Sequence, residues 1–159
     1  MMYNEEYKND IKKLYDCQKN EDIAAINDFC KKYYGKLDIC HIPDLMRMFN
    51  GTAACWEQNE FIVNLLDDIV ENYAQDAVNA IVENTEILVE ERSVECLSLI
   101  LTMILFWHEN LQLDIISPIS SGDKRILELY RKEICKKMNY IKGDQRKLLE
   151  EIVKKMQFM

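Results

Sequence analysis

The chain has 159 residues, and 48% of them are hydrophobic, which is enough to bury a continuous core in one domain of ordinary size. This composition excludes a globally disordered chain, and the scarcity of glycine (4) and proline (2) argues against an all-β fold, which needs many turns. The formal net charge is −8. The first ten residues, MMYNEEYKND, carry acids where a signal peptide needs a basic stretch, so we expect a cytoplasmic protein.

The N-terminal third is predicted to form three helices. Apolar residues at helical spacing predict the first from about Asn4 to Cys17. Asn20 is a suitable cap for the second, which we expect to stop at Gly35 because glycine adopts the left-handed conformation at low cost. A short third helix is predicted over about Ile42–Phe49.

Three longer helices are predicted in the middle. The fourth covers about Trp56–Tyr73 and the fifth about Gln75–Val89, each with apolar residues three and four apart. The sixth, about Ser93–Trp107, is apolar nearly all round, but a bilayer-spanning helix needs ~20 apolar residues, so we expect a buried core helix.

The C-terminal third is predicted to contain a loop and two helices. Serines, Pro118 and Gly122 place the loop over residues 117–122, and the helices follow over about Asp123–Tyr140 and Asp144–Gln157. On the last helix, residues 150 and 154, and 151 and 155, have the spacing of ion pairs. Short linkers between helices favour antiparallel neighbours, so we predict an all-α fold over 1–159: one domain built as an irregular α-α hairpin array of about eight helices, a HEAT-like α-solenoid.

The charges are distributed very unevenly. Residues 1–50 have a net charge of −1, residues 51–116 have thirteen acids and one base for a net charge of −12, and residues 117–159 have a net charge of +5. On helices four and five the acids occupy the predicted polar faces. The candidate partner-binding residues are Glu60, Asp67, Asp68, Glu71, Asp76, Glu83, Glu86, Glu90 and Glu91.

Two interpretations of these acids remain open. They form either a solvated face that keeps the protein in solution or a docking surface for a basic protein. Like charges at helical spacing repel by roughly 0.2–0.5 kcal/mol per pair, whereas burying one Leu contributes roughly 1.5–3 kcal/mol, so the fold tolerates the acids without needing them. The same field disfavours nucleic acid as a partner. We expect a monomer or weak dimer that does not bind a membrane.

No motif for catalysis, a cofactor or a metal ion is recognisable. The two histidines, His41 and His108, lack metal-site spacing, and glycine-rich phosphate loops are missing, so we expect a protein that is not an enzyme. His108 is expected to interact with a helix C-terminus. The six cysteines lack a C-x-x-C pair and are expected to be reduced core residues, and a cysteine nucleophile beside a histidine requires a proximity that the sequence does not reveal. Trp56 and Tyr73 are expected in the core, with a role as binding anchors as the alternative.

Residues 59–110, NEFIVNLLDDIVENYAQDAVNAIVENTEILVEERSVECLSLILTMILFWHEN, resemble the immunity protein 30 family. The shared pattern is an amphipathic helix ending in an acidic-aromatic turn at 67–73, a second helix with a small turn, and an apolar helix closing near Asn110. The resemblance implies a cytosolic bacterial immunity protein that neutralises a toxin domain, often a nuclease with a basic substrate site. The alternatives are a HEAT-like scaffold or adaptor and a small enzyme of unrecognised type.

Overall fold

A computed structural model describes residues 4–19, 22–52 and 56–157. Every regular element in those ranges is helical, which confirms the all-α prediction. The α-helices are α1 (Glu5–Lys19), α2 (Ile23–Tyr33), α3 (Ile42–Arg47), α4 (Trp56–Glu83), α5 (Glu86–Glu90), α6 (Leu97–Thr102), α7 (Ile116–Ser120), α8 (Lys124–Met138) and α9 (Asp144–Met156). Short 3-10 helices cover Ile39–His41, Val94–Cys96 and Glu109–Leu111, and a π-helical segment covers Met103–Trp107. HEAT-like stacking stays a prediction.

The longest helix, α4, organises the packing of the others. It contacts α2, α3, α7 and the π segment, while α1 packs on α2 and α8 packs on α9. Its inward side chains, among them Ile62, Leu66 and Ile69, are completely buried. Each such side chain contributes roughly 1.5–3 kcal/mol, so the apolar stripe of α4 is a substantial source of the fold's stability.

α4 is interrupted at Ala74, whose φ of 47° and ψ of −123° are not helical. The predicted break between Tyr73 and Gln75 is therefore confirmed, although a single residue makes it. Helix five is shorter than predicted, because α4 ends at Glu83 and α5 begins at Glu86. The acids of the two helices therefore do not follow one straight rod.

The first two helices agree with the sequence except at one cap. Asp22 caps α2, since its carboxylate accepts a hydrogen bond of 3.1 Å from the amide of Ala25. The predicted cap, Asn20, lies outside the described residues, and the helix begins later than a cap at that position requires. Gly35 follows α2 with a φ of +77°, as predicted.

The loop predicted over residues 117–122 is wrong in its first half, because α7 forms there. Asp114 accepts hydrogen bonds from the amides of Ile116 (2.9 Å) and Ser117 (3.3 Å), and thereby satisfies the free donors of the first turn. Pro118 is tolerated because it lies in that turn, where its missing N–H costs nothing.

The apolar helix and the two C-terminal helices lie where the sequence predicts them. The sixth predicted helix is a succession of 3-10, α and π turns over 94–107. In the described ranges, no helix is both long and apolar enough to cross a membrane. On α9, however, Glu150 pairs with Arg146 at 3.0 Å, where the sequence predicted residue 154 as its partner. Neither predicted pair of that helix is among the ion pairs of the described residues.

The cysteines follow the core prediction only in part. Cys30 and Cys96 are buried, but Cys40 and Cys135 are exposed. Cys55 lies outside the described residues. The five described cysteines are free thiols, and the predicted reducing environment stays a prediction.

Candidate functional site: the acidic face of α4

The first stretch of α4 carries a polar stripe along one side. Trp56, Glu60, Asn64, Asp67 and Glu71 follow each other at spacings of four, four, three and four residues, which places them on one helical face. All of them except Asp67 are exposed. Of the four acids that the sequence assigned to the polar face, Glu60 and Glu71 are exposed, Asp67 is half-buried and Asp68 is buried.

Five of the nine candidate residues are exposed and have no basic neighbour. Within the described ranges, no lysine or arginine nitrogen lies within 4.0 Å of their carboxylates. We call this set the outward carboxylates. They are Glu60, Glu71, Asp76, Glu83 and Glu90.

Asp68 is a correction, because it points into the protein and is only 7% exposed. Its Oδ2 accepts a hydrogen bond of 2.9 Å from the amide of Gly35, just after α2. The side chain of Asn72 donates to its backbone oxygen at 2.8 Å and lies 3.4 Å from its Oδ1. Asp68 therefore joins α4 to α2 and cannot reach a partner.

Asp67 is a second correction, because its carboxylate is bonded to Nε2 of His108. The imidazole follows the π segment as its C-terminal cap residue and is 8% exposed, whereas the Asp67 side chain is 26% exposed. The expected position of His108 at a helix C-terminus is confirmed. Its contact with Asp67 was not predicted, since the two residues are 41 positions apart.

Glu86 and Glu91 also have partners within the chain. A guanidinium nitrogen of Arg125 lies 3.6 Å from Glu86, but the Arg125 side chain is 72% exposed and also pairs with Asp123. A contact this exposed contributes little, so Glu86 stays available. Glu91 accepts a hydrogen bond of 3.2 Å from the hydroxyl of Tyr15, which ties it to α1.

The second stretch of α4 faces an acidic groove of about 560 Å³. Its wall includes the carboxylates of Glu83, Glu86, Asp114 and Asp123, and none of the described residues that line it is basic. Arg125 lowers the pKa of Asp123 through its amide and its guanidinium group. Burial acts to raise the pKa of Asp114, but the hydroxyl and amide of Ser117 reverse the effect and leave the pKa low. Both groups are therefore charged at neutral pH.

Exposed aromatic side chains lie at both ends of the first stretch of α4. Trp56 is 52% exposed and Tyr73 is 41% exposed, so the expectation that they pack in the core is wrong. Trp107, next to His108, is 48% exposed. Tyr34 lines a groove of about 400 Å³ with Asn64 and Asp67. Tryptophan and tyrosine are enriched at protein interfaces, so the alternative role as binding anchors gains support.

His41 belongs to a helix cap. Its Nδ1 accepts a hydrogen bond of 3.1 Å from the amide of Asp38, and Asp38 in turn accepts from the amide of Cys40. Partial burial, together with Asp38, raises the pKa of the Cys40 thiol to about 11. Because nucleophilic attack needs a thiolate, the Cys40 thiol is poorly suited to that role, although the ligand atoms of Asp38, Cys40 and His41 lie close together.

His108 forms part of the wall of a cavity of about 650 Å³ that also contains Glu109 and Asp114. The sequence could not predict this arrangement, since the residues are brought together by the π segment and α7. An ordered cavity that joins a histidine to carboxylates is what the enzyme alternative required.

No family model, no curated protein and no solved structure matches this chain. The resemblance of residues 59–110 to the immunity protein 30 family therefore stays a prediction. The functional argument depends on the side chains and contacts of the chain itself.

Proposed function

We propose that this protein is an immunity protein that binds a basic toxin domain through the outward carboxylates and blocks it without performing catalysis. The observation that carries the proposal is the set of exposed acids on α4 and α5 with no described lysine or arginine as a partner. Exposed Trp56 and Tyr73 provide aromatic contacts at the two ends of the first stretch of α4.

The chemistry of the partner follows from the charge of this face. A concentrated negative field attracts a basic surface, raises the association rate by about 10- to 1,000-fold, and repels anionic molecules such as nucleic acids. A tight complex of this kind buries roughly 1,200–2,000 Å² in total.

The proposed site is smaller than the set predicted from the sequence. Asp68 is excluded because it is buried, and Asp67 and Glu91 are excluded because they bond within the chain. Glu86 stays at the margin, beside Arg125. The outward carboxylates and the flanking aromatics remain.

The step from a basic protein to a toxin domain depends on the family resemblance, which implies cytoplasmic action and favours a nuclease as the toxin. A scaffold or adaptor that binds a different basic protein is the alternative. A neighbouring gene for a large secreted protein with a variable C-terminal domain favours the first, and neighbours from an unrelated operon favour the second.

Co-expression with the toxin domain encoded by the neighbouring gene tests the proposal. Cells that make both proteins should survive, and a triple variant should lose most of this protection while retaining its helical content and unfolding midpoint. That variant is Glu60→Lys, Glu71→Lys and Glu83→Lys.

A matched control changes the total charge by the same amount at exposed acids on α1, α2 and α9 that have no ion pair in the described ranges. It is Asp16→Lys, Asp28→Lys and Glu151→Lys. We expect this control to protect cells like the wild type. Equal loss of protection in both variants contradicts the proposed site, because total charge rather than the α4 face then decides binding.

A further inference from the structure

The cavity beside His108 is a second site, lined mainly by aliphatic side chains. The π segment, α7 and α9 enclose it, and its volume of about 650 Å³ is within the range usual for small-molecule sites. Its apolar wall comes from Ile104, Leu105, Leu113, Ile115, Ile116, Leu148 and Ile152. No described phenylalanine, tyrosine or tryptophan lines it, so its walls suit an alkyl chain better than a flat ring.

His108 supplies a buried polar group in this wall. Its Nε2 is bonded to Asp67, and the hydrogen bonds of the described residues include none made by Nδ1. A carboxylate at one ring nitrogen fixes the orientation of an imidazole and favours the tautomer with its proton on that nitrogen. Nδ1 then offers a lone pair, which accepts a hydrogen bond.

The charges around the cavity favour a cation. Glu109 is exposed and has no ion pair among the described residues, and the pKa of Asp114 is low, so Asp114 is negative at neutral pH. Lys155 is the single basic residue in the described lining, and it lies close enough to Asp114 to help lower its pKa. A ligand that carries a carboxylate is repelled by both Glu109 and Asp114.

We propose that this cavity binds a primary aliphatic ammonium ion, either a free diamine or the side chain of a lysine. The alkyl stem lies along the isoleucine and leucine side chains, and the ammonium group donates hydrogen bonds to Nδ1 of His108 and to Glu109. The site is separate from the outward carboxylates, so it does not require the proposed docking of a toxin.

A metal ion is a poorer occupant of the same cavity. Among the described residues, the one cluster with three ligand atoms within 4.8 Å of one another is Asp38, Cys40 and His41, which lies elsewhere. The ligand atoms of His108, Glu109 and Asp114 therefore do not converge, whereas an elongated cation can span them.

Calorimetric titration with 1,5-diaminopentane, N-acetyl-lysine methylamide and sodium pentanoate tests the proposal. We expect saturable binding of the two amines and weak or no binding of pentanoate. The stronger of the two amines identifies the source of the ammonium group. In ¹⁵N spectra, the Nδ1 signal of His108 should shift during the titration more than the Nε2 signal does.

Two exposed positions give variants that should fold normally. Glu109→Gln should weaken amine binding, and Lys155→Gln should strengthen it by removing the competing cation, each by about two- to fivefold, as expected for partly exposed charges. The triple variant of α4 should bind amines like the wild type even though it should lose toxin docking. Amine binding and toxin docking can therefore fail independently.

Three outcomes overturn the proposal. They are the absence of saturable amine binding, a preference for pentanoate, and weaker amine binding by Lys155→Gln than by the wild type. A preference for pentanoate indicates a site for anions.

Discussion

The acids of α4 and those of α8 and α9 lie in contrasting surroundings. Three of the five acids on α8 and α9 pair with a base three or four residues away: Glu128 with Arg131, Glu133 with Lys136, and Glu150 with Arg146. In the described part of the chain, none of the seven acids of α4 lies within 4.0 Å of a lysine or arginine. A surface that only needs solvation is readily built from both signs, as α8 and α9 show, so the single sign on α4 calls for a different explanation.

Within α4 the acids differ again according to their direction. Asp67 and Asp68 bond with groups of the chain, whereas Glu60, Glu71, Asp76 and Glu83 make no such bond to the residues that the structure describes. The inward acids should therefore matter to folding, while the outward acids should matter to binding. The predictions below test this division on purified protein.

The largest effect is expected for Asp68→Ala. This change leaves the amide of Gly35 without its buried acceptor and should lower the free energy of unfolding by about 2–3 kcal/mol. Urea unfolding monitored by circular dichroism measures the loss. Glu71→Ala, three residues further along, is the matched control and should change stability by less than about 0.5 kcal/mol. Equal losses of stability in Asp68→Ala and Glu71→Ala contradict the division between inward and outward acids.

Asp67→Asn should have an intermediate effect. It removes the negative charge bonded to His108, and because Asp67 is partly exposed the expected loss is about 1.5 kcal/mol. Glu60→Gln on the same helical face should be nearly neutral in the same urea experiment. A neutral Asp67→Asn variant means that the contact with His108 adds nothing to stability.

Ala74→Gly should be stabilising or neutral, although this change usually weakens a helix. Ala74 has a positive φ, which an alanine side chain strains and a glycine adopts freely, so a gain of up to about 1 kcal/mol is expected. Ala80→Gly, within the regular part of α4, should instead cost about 1 kcal/mol or more. Thermal unfolding of both variants gives the comparison. Destabilisation of the same size at both positions rules out the break at Ala74.

The smallest expected changes in the free energy of unfolding have opposite signs on α4 and on α9. Glu71→Gln relieves repulsion from Asp67, four residues before it, and should raise stability by about 0.2–0.5 kcal/mol at low salt. Glu150→Gln loses its pair with Arg146 and should lower stability by a similar amount. Both effects should fade in 1 M NaCl, because salt at about that concentration screens exposed charges within a few ångströms. If both variants change stability in the same direction, the charges on α4 and on α9 do not lie in different electrostatic surroundings.

Local patterns predicted the helices well, because each depends on spacing and on caps within a few residues. The break at Ala74 and the left-handed Gly35 just after α2 are examples. The start of α7 was missed, although Asp114 and Pro118 together resemble the beginning of a helix.

Tertiary contacts explain why some residues of the site were assigned wrongly from the sequence. Asp67 and Asp68 are neighbours on α4, and only the positions of His108 and Gly35 determine that both are held by the protein. Helical spacing also placed Trp56 in the core, but whether a residue near a helix end is covered depends on the neighbouring elements. The cavity at His108 was unpredictable for the same reason.

The association rate with the toxin domain tests the central claim most directly. Stopped-flow mixing at low salt should show that Glu60→Lys, Glu71→Lys and Glu83→Lys together slow association at least about tenfold and flatten its dependence on salt. The triple control on α1, α2 and α9 should associate nearly as fast as the wild type. An unchanged rate and salt dependence in the α4 variant contradict a role for the outward carboxylates in docking.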